Sequence, residues 1–214
     1  MAVKSDREYR DMTMEIRSAE TEEVEQEERK VVTGYASTFN EPYTLYEDDD
    51  WRFDEVVDSR AFDNTDMSDV ILQYDHCGRV FARISNNTLT VTPDEKGLLI
   101  EADLGGTELG RQLYEEIRGG YTNKMSFGFI VDGEEVRDMK APDGKALTVR
   151  TITSVRKLYD VSAVSLPAND ATSISVRSLT DGEIERIRAE RLEAEALELR
   201  RRKLLARAKL NGGQ

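Results

Sequence analysis

Residues 124–131 read KMSFGFIV and residues 146–166 read ALTVRTITSVRKLYDVSAVSL. β-Branched and aromatic residues dominate both stretches and turn residues bound them, the pattern of strands rather than helices. Ala141-Pro142-Asp143-Gly144 forms a turn signal just ahead of the second stretch. The second stretch is expected to hold two strands, 146–160 and 161–166. Runs of the same kind precede them: VVTGYASTF (31–39), DVILQYDH (69–76), RVFARIS (79–85), TLTVTP (88–93) and GLLIEADL (97–104). Asp94-Glu95-Lys96-Gly97 supplies another turn. One segment breaks the pattern. Leu109, Leu113 and Ile117 fall at i, i+4 and i+8 within GTELGRQLYEEIRGG, which predicts a short helix closed by Gly119-Gly120. The expected body is an α+β fold, a small barrel or sandwich with at least one inserted helix.

The ends of the chain differ from this body. From Glu183 to Lys209 there is neither Gly nor Pro, and Ala, Leu, Glu and Arg dominate, which favours a helix. Thr180 or Asp181 can cap it and Asn211-Gly212-Gly213 can stop it. Its apolar residues make no clean stripe, so a partly exposed helix is expected. The resulting domains are 1–30, a weakly ordered acidic segment or edge strand; 31–177, the β-domain; and 178–214, a charged helical tail. EYRDMTMEIRS alternates in the manner of an edge strand, and the glutamate run ETEEVEQEE (20–28) reads as a solvated turn.

With 214 residues, 38% hydrophobic and 34% charged, the chain holds one compact domain plus an appendage, or two small domains. The net charge of -13 divides into +2 over residues 178–214 and -15 over residues 1–177. Such a body is a poor partner for nucleic acid, whose affinity comes from neutralising phosphates. Cys77 is the only cysteine and His76 the only histidine, so an intrachain disulfide and any zinc site built from several Cys or His are excluded. The acids from Glu47 to Asp58 lack the calcium-loop pattern and are expected to form a solvated loop. GGTELG (105–110) lacks the spacing and the Lys-Ser/Thr of a phosphate cradle. No cofactor or metal is expected. No apolar run nears the ~18 residues that span a bilayer, and the N-terminus lacks the apolar core of a secretory signal. A reducing, cytosol-like compartment without membrane contact is therefore expected.

Chemistry that needs a histidine must run through His76, expected at the end of its strand. Ser126 sits between Met125 and Phe127, so it emerges on the opposite strand face from them. A serine is a weak nucleophile until a base takes its proton, and His76 is the one imidazole available. A third group would orient that imidazole. The candidates are Asp160, Asp103 and Asp75, of which Asp75 is the poorest because adjacent strand residues face opposite ways. Asp160 stands in an otherwise apolar run, where a carboxylate is costly unless paired. Cys77 is a rival nucleophile that cannot easily use the histidine directly before it.

The ordered set GYASTFN, a strand ending in His76, GLLIEADL, a short helix ending in Gly-Gly, MSFGF and LYDVSAVSLPAND resembles the prohead (procapsid maturation) proteases of tailed bacteriophages, relatives of herpesvirus assemblins. The resemblance covers roughly residues 31–177. It implies a compact, mainly antiparallel β-barrel with surrounding helices, and a serine endopeptidase with Ser126 as nucleophile and His76 as general base. Asp160 is implied as third member, with Asp103 as substitute, since the relatives' second histidine has no counterpart here. Two departures from the family pattern are Cys77 after His76, where many relatives have Asp, and Asp rather than Glu at 160. The implied substrates are scaffold and the scaffolding segment of the major capsid protein, cut inside the assembling procapsid in the host cytoplasm. Self-cleavage, removal of the tail and a homo-oligomer are also expected. A non-enzymatic internal scaffold or assembly protein of the procapsid is the competing reading, and a peptide- or metal-binding module a third.

Overall fold

The computed structural model describes residues 7–12, 17–18 and 29–165, and residues 188–202 except 191, 195 and 199. The chain divides into two compact units, Met1–Ser175 and Val176–Gln214.

In chain order the first unit contains β1 (Glu8–Met12), β2 (Arg17–Ser18), β3 (Val31–Thr38), β4 (Tyr43–Glu47), β5 (Trp51–Val57), β6 (Ile71–Tyr74), β7 (Cys77–Arg83), β8 (Leu89–Pro93), β9 (Gly97–Asp103), α1 (Glu108–Arg118), β10 (Lys124–Lys140) and β11 (Ala146–Val164). β10 and β11 form one long antiparallel hairpin, running from Lys124 opposite Val164 to Lys140 opposite Ala146. Its turn is the predicted Ala141–Gly144, with Gly144 at φ 92, a conformation glycine adopts without a Cβ penalty. Two strands expected over 146–166 are thus one, and β10 runs nine residues past Val131. The polar extension DGEEVRDMK carries no apolar pattern, and it is strand because β11 pairs with it.

β11 is the spine of a seven-stranded sheet. β10 covers one edge. On the other edge β5 pairs parallel with Ala146–Ile152, and β6 pairs parallel with Asp160–Ala163. β4 extends the sheet beyond β5, β7 beyond β6, and β1 beyond the first half of β10. A second sheet of four antiparallel strands runs β2-β3-β9-β8. Val32, Ala36, Leu98, Ile100 and Ala102 from this sheet share one core with Met125, Phe127, Phe129, Leu158 and Val161 from the larger one. Burial of that apolar surface is the main force holding the two sheets together. α1 adds Leu113 and Ile117 to the core, while Leu109 in its first turn is exposed. Thr107 caps the helix, its Oγ1 accepting the Gly110 N–H at 2.9 Å.

The structure corrects two expectations. No closed barrel forms among the described residues: the strands pair in open order and make two sheets. The acids of residues 47–58 form a solvated loop only in part: Glu47, Asp49 and Asp50 are exposed, while Asp54 and Glu55 are buried in a strand. β5 occupies residues 51–57 there, with Trp51, Phe53 and Glu55 fully buried. Trp51 is seated by its Nε1–H on Thr148 Oγ1 at 3.0 Å, and Glu55 lies between Arg10 and Arg150. Those arginines come from residues far away in the chain, so no local pattern around the acids announces them.

In the second unit the described residues between 188 and 202 are helical. Arg202 pairs with Glu198 one turn earlier, and Leu192 and Leu197 are exposed. The expected cap at Thr180 or Asp181, the stop at Asn211–Gly213 and the 20–28 glutamate run lie outside the described residues.

Candidate active site

Three strands and one turn build the site. β6 and β7 are joined by two residues, Asp75 and His76, with Tyr74 opposite Cys77. Asp75 (φ 47) and His76 (φ 55) both lie in the left-handed region, as a two-residue type I′ hairpin requires. The strand therefore ends at Tyr74, and His76 is a turn residue rather than the strand end expected from VILQYDH. The Asp75 carboxylate clips this turn to the end of β11. It accepts the Ser165 N–H at 2.9 Å and the Ser165 hydroxyl at 3.0 Å, and the Asp75 N–H donates to Ala163 O at 3.0 Å.

Beneath the turn, Ser126 of β10 lies opposite Ser162 of β11, and Gly128 lies opposite Asp160. Residues two apart share a strand face, so Ser126, Asp160 and Ser162 point to the same side. His76 reaches down between them. Its Nδ1 is 2.5 Å from Asp160 Oδ1, and its Nε2 is hydrogen-bonded to Ser126 Oγ. Asp160 is fully buried and fully engaged. The Ser162 hydroxyl donates to Oδ1 at 3.0 Å, and the Arg7 guanidinium donates to Oδ2. A carboxylate at Nδ1 favours the tautomer whose Nε2 can accept the serine proton. Gly128 makes the approach possible: a Cβ there would stand 2.5 Å from Asp160 Oδ2 and 2.8 Å from the Tyr9 ring.

The other candidates lie elsewhere. Asp103 ends β9 in the smaller sheet, where it accepts the Gly105 N–H at 2.9 Å and faces Arg29 at 3.2 Å. Asp75 serves the turn. Cys77 opens β7 and is exposed, with its thiol 3.7 Å from Tyr74 O.

Sequence reasoning missed the residues of β1 and Arg7 just before it. Arg7 holds Asp160, and the Tyr9 ring meets His76 edge-on with centroids 4.5 Å apart. On the opposite side of β1, Glu8 and Arg10 enter a buried charge cluster with Glu55 and Arg150. Arg150 donates to Glu8 at 2.8 and 3.0 Å and to Glu55 at 2.7 Å, while Arg10 donates to Glu8 at 2.5 Å and to both Glu55 oxygens. Burial works to raise the Glu8 carboxyl, but the hydrogen bonds and charges of Arg150 and Arg10 outweigh it and hold it at about 2. Glu55 is lowered by the same two arginines against its own burial, and burial next to Glu55 pushes the Tyr43 phenol well up. The alternation in EYRDM was the one available signal. It suggests an edge strand without saying which edge.

A serine hydroxyl, an imidazole and a carboxylate bonded in series are the working parts of a serine hydrolase. No curated protein and no solved structure matches the chain. A family model described as caudovirus prohead serine protease matches residues 14–186, well over half of the chain. The chain belongs to that family, and it is a serine endopeptidase of phage capsid maturation. Such enzymes act in the procapsid within the host cell, and among the described residues no helix is long and apolar enough to cross a membrane.

Proposed function

We propose that the chain cleaves scaffold or the scaffolding segment of the major capsid protein, and its own chain, with Ser126 as nucleophile, His76 as general base and Asp160 as the carboxylate that orients it. The observation that carries this reading is the unbroken series Ser126 Oγ, His76 Nε2, His76 Nδ1, Asp160 Oδ1 in a chain with a single histidine. His76 takes the hydroxyl proton as Ser126 Oγ attacks the peptide carbonyl. The tetrahedral intermediate collapses, His76 returns the proton to the leaving amine, and water repeats the cycle on the acyl-enzyme. Asp160 stays ionised and stabilises the imidazolium formed between the two transfers.

On the same reading, residues 31–177 are the protease domain, of assemblin type by the order of its motifs. Residues 178–214 are a packaging tail lost by self-cleavage, residues 1–30 are an acidic leading segment that supplies an edge strand, and the enzyme works as a homo-oligomer in the host cytoplasm. The test is intact-mass spectrometry of wild type and Ser126→Ala, each co-expressed with its capsid protein. Fragments present only with wild type support the assignment. Identical cleavage in both removes Ser126 as nucleophile, and a tail retained by active enzyme removes the self-cleavage step.

A further inference from the structure

Ser126 has no solvent exposure, yet a nucleophile must meet a substrate carbonyl. The cover is β1, paired antiparallel with β10 from Glu8 opposite Phe129 to Met12 opposite Met125. It lies ahead of residue 14, where the family match begins. Its side chains and that of Arg7 just before it alternate between two tasks. Arg7 and Tyr9 lie on the side of Asp160 and His76, and the Arg7 guanidinium sits between the Tyr9 and Tyr159 rings at 5.1 and 4.4 Å. Glu8 and Arg10 plug into Glu55 and Arg150 on the other side. The backbone contributes directly: Ser126 Oγ donates to Arg10 O at 2.9 Å. A serine hydroxyl has one proton, so whatever is given to Arg10 O is withheld from His76 Nε2. The carbonyl also meets Ser126 through its oxygen rather than presenting its carbon, so β1 lies in a non-reacting pose.

We propose that the β10 edge from Met125 to Phe129 is the seat of an extended substrate segment, and that β1 is its internal occupant, a strand of this same chain that must leave before Ser126 can act. The substrate half rests on the catalytic reading above, and the occupant half rests on the burial and pairing alone. Strand addition to a sheet edge supplies main-chain hydrogen bonds, and alternate side chains supply selectivity. Departure is electrostatically possible because Glu8 and Arg10 leave as a neutral pair. Glu55 and Arg150 stay behind, bonded at 2.7 Å, Arg150 keeps Glu134 at 2.6 Å, and Asp160, parted from Arg7, keeps the Ser162 hydroxyl and His76. An incoming strand in the same register places alternate side chains over Arg150 and Glu55. The preferred segment therefore carries an acidic residue and, two positions later, a basic one.

The test places a reporter at the nucleophile. In a Cys77→Ser background, the thiol introduced by Ser126→Cys is alkylated with iodoacetamide in the full chain. Labelling is expected to be slow with β1 intact and about 10- to 100-fold faster in Glu8→Ala/Arg10→Ala, the range that loss of charged hydrogen bonds implies. The isosteric Glu8→Gln gives a smaller rise, read at a temperature where its melting curve shows the chain fully folded. A synthetic peptide of residues 7–12, REYRDM, restores protection to the double variant, which a generally unfolded chain would not allow, while a charge-reversed peptide does not. A Ser126→Cys thiol that reacts at free-thiol speed with β1 intact overturns the proposal. So does faster amide exchange across β1 with no rise in labelling. A fluorophosphonate that ignores native Ser126 in the double variant, while the Ser126→Cys thiol follows the expected pattern, counts against the catalytic reading and leaves the strand cover standing.

Discussion

Replacing Asp160 with Asn changes one charge at the most enclosed point of the site. The carboxylate serves three donors with two oxygens: Oδ1 takes His76 and Ser162, and Oδ2 takes Arg7. Asn has one acceptor. Turned toward His76, it aims its NH2 at the Arg7 guanidinium; turned toward Arg7, it aims the NH2 at His76 Nδ1. Either way the imidazolium of the proposed mechanism loses a counter-charge. At about 4 Å between charge centres and an effective dielectric of about 20, that interaction amounts to ~4 kcal/mol, or about a 10³-fold fall in kcat. KM should move less than about three-fold, because Asp160 is fully buried and bonds His76 rather than Ser126. The assay is steady-state hydrolysis of a peptide containing a mapped capsid-protein cleavage site, with melting curves to show that the variant folds. Asp103→Asn, made in parallel, should leave kcat within about two-fold, since Asp103 faces Arg29 and the Gly105 amide. A folded Asp160→Asn enzyme that keeps a tenth or more of wild-type kcat would refute the orienting role. A large loss in Asp103→Asn instead would transfer that role to it.

Three further outcomes are expected. Asp75→Gly suits the φ of 47 but deletes the clip to Ser165, so kcat should fall about 10-fold with KM unchanged and Asp75→Asn should recover part of it; equal losses in both terms would argue against a positioning role. Gly128→Ala drives a Cβ to 2.5 Å from Asp160 Oδ2, so melting curves should report a loss of roughly 1–3 kcal/mol and kcat should fall with it; an unchanged enzyme would show that the site has slack. Glu8 is held at about 2 against an ordinary 4.5. Its depressed folded value means that it stabilises above pH 4.5 and that this contribution, about 3 kcal/mol, disappears as pH falls through 2. Denaturant melts of wild type should therefore lose more stability between pH 5 and 2 than those of Glu8→Gln; parallel curves would contradict the charge cluster.

The strands of the core were legible because alternating or continuous apolar runs such as GLLIEAD and KMSFGFIV need little context to declare themselves. The α1 helix was equally plain from the spacing of Leu113 and Ile117 and the closing glycines. Residues 132–140 and 51–57 were not. Their strand character comes from the β-partner beside them, and the acids of β5 are tolerable inside the protein only because two distant arginines meet them. The barrel expectation failed for a related reason: closure depends on which edges pair, and edge pairing is not written into any one strand.

Chemistry and place separate in the same way. A single histidine fixed the imidazole by residue type alone, because the chain has no other, and a serine between two apolar neighbours and a carboxylate within an apolar run narrowed its partners to a few candidates. Their meeting was decided by the tertiary structure. A left-handed two-residue turn aims His76, pairing in register sets Gly128 opposite Asp160, and the missing Cβ lets the carboxylate sit there. β1 shows the limit most clearly. Its five residues carry the alternation of any edge strand, but that this edge lies against Ser126 follows from contacts spanning more than a hundred residues of chain, which no local pattern encodes.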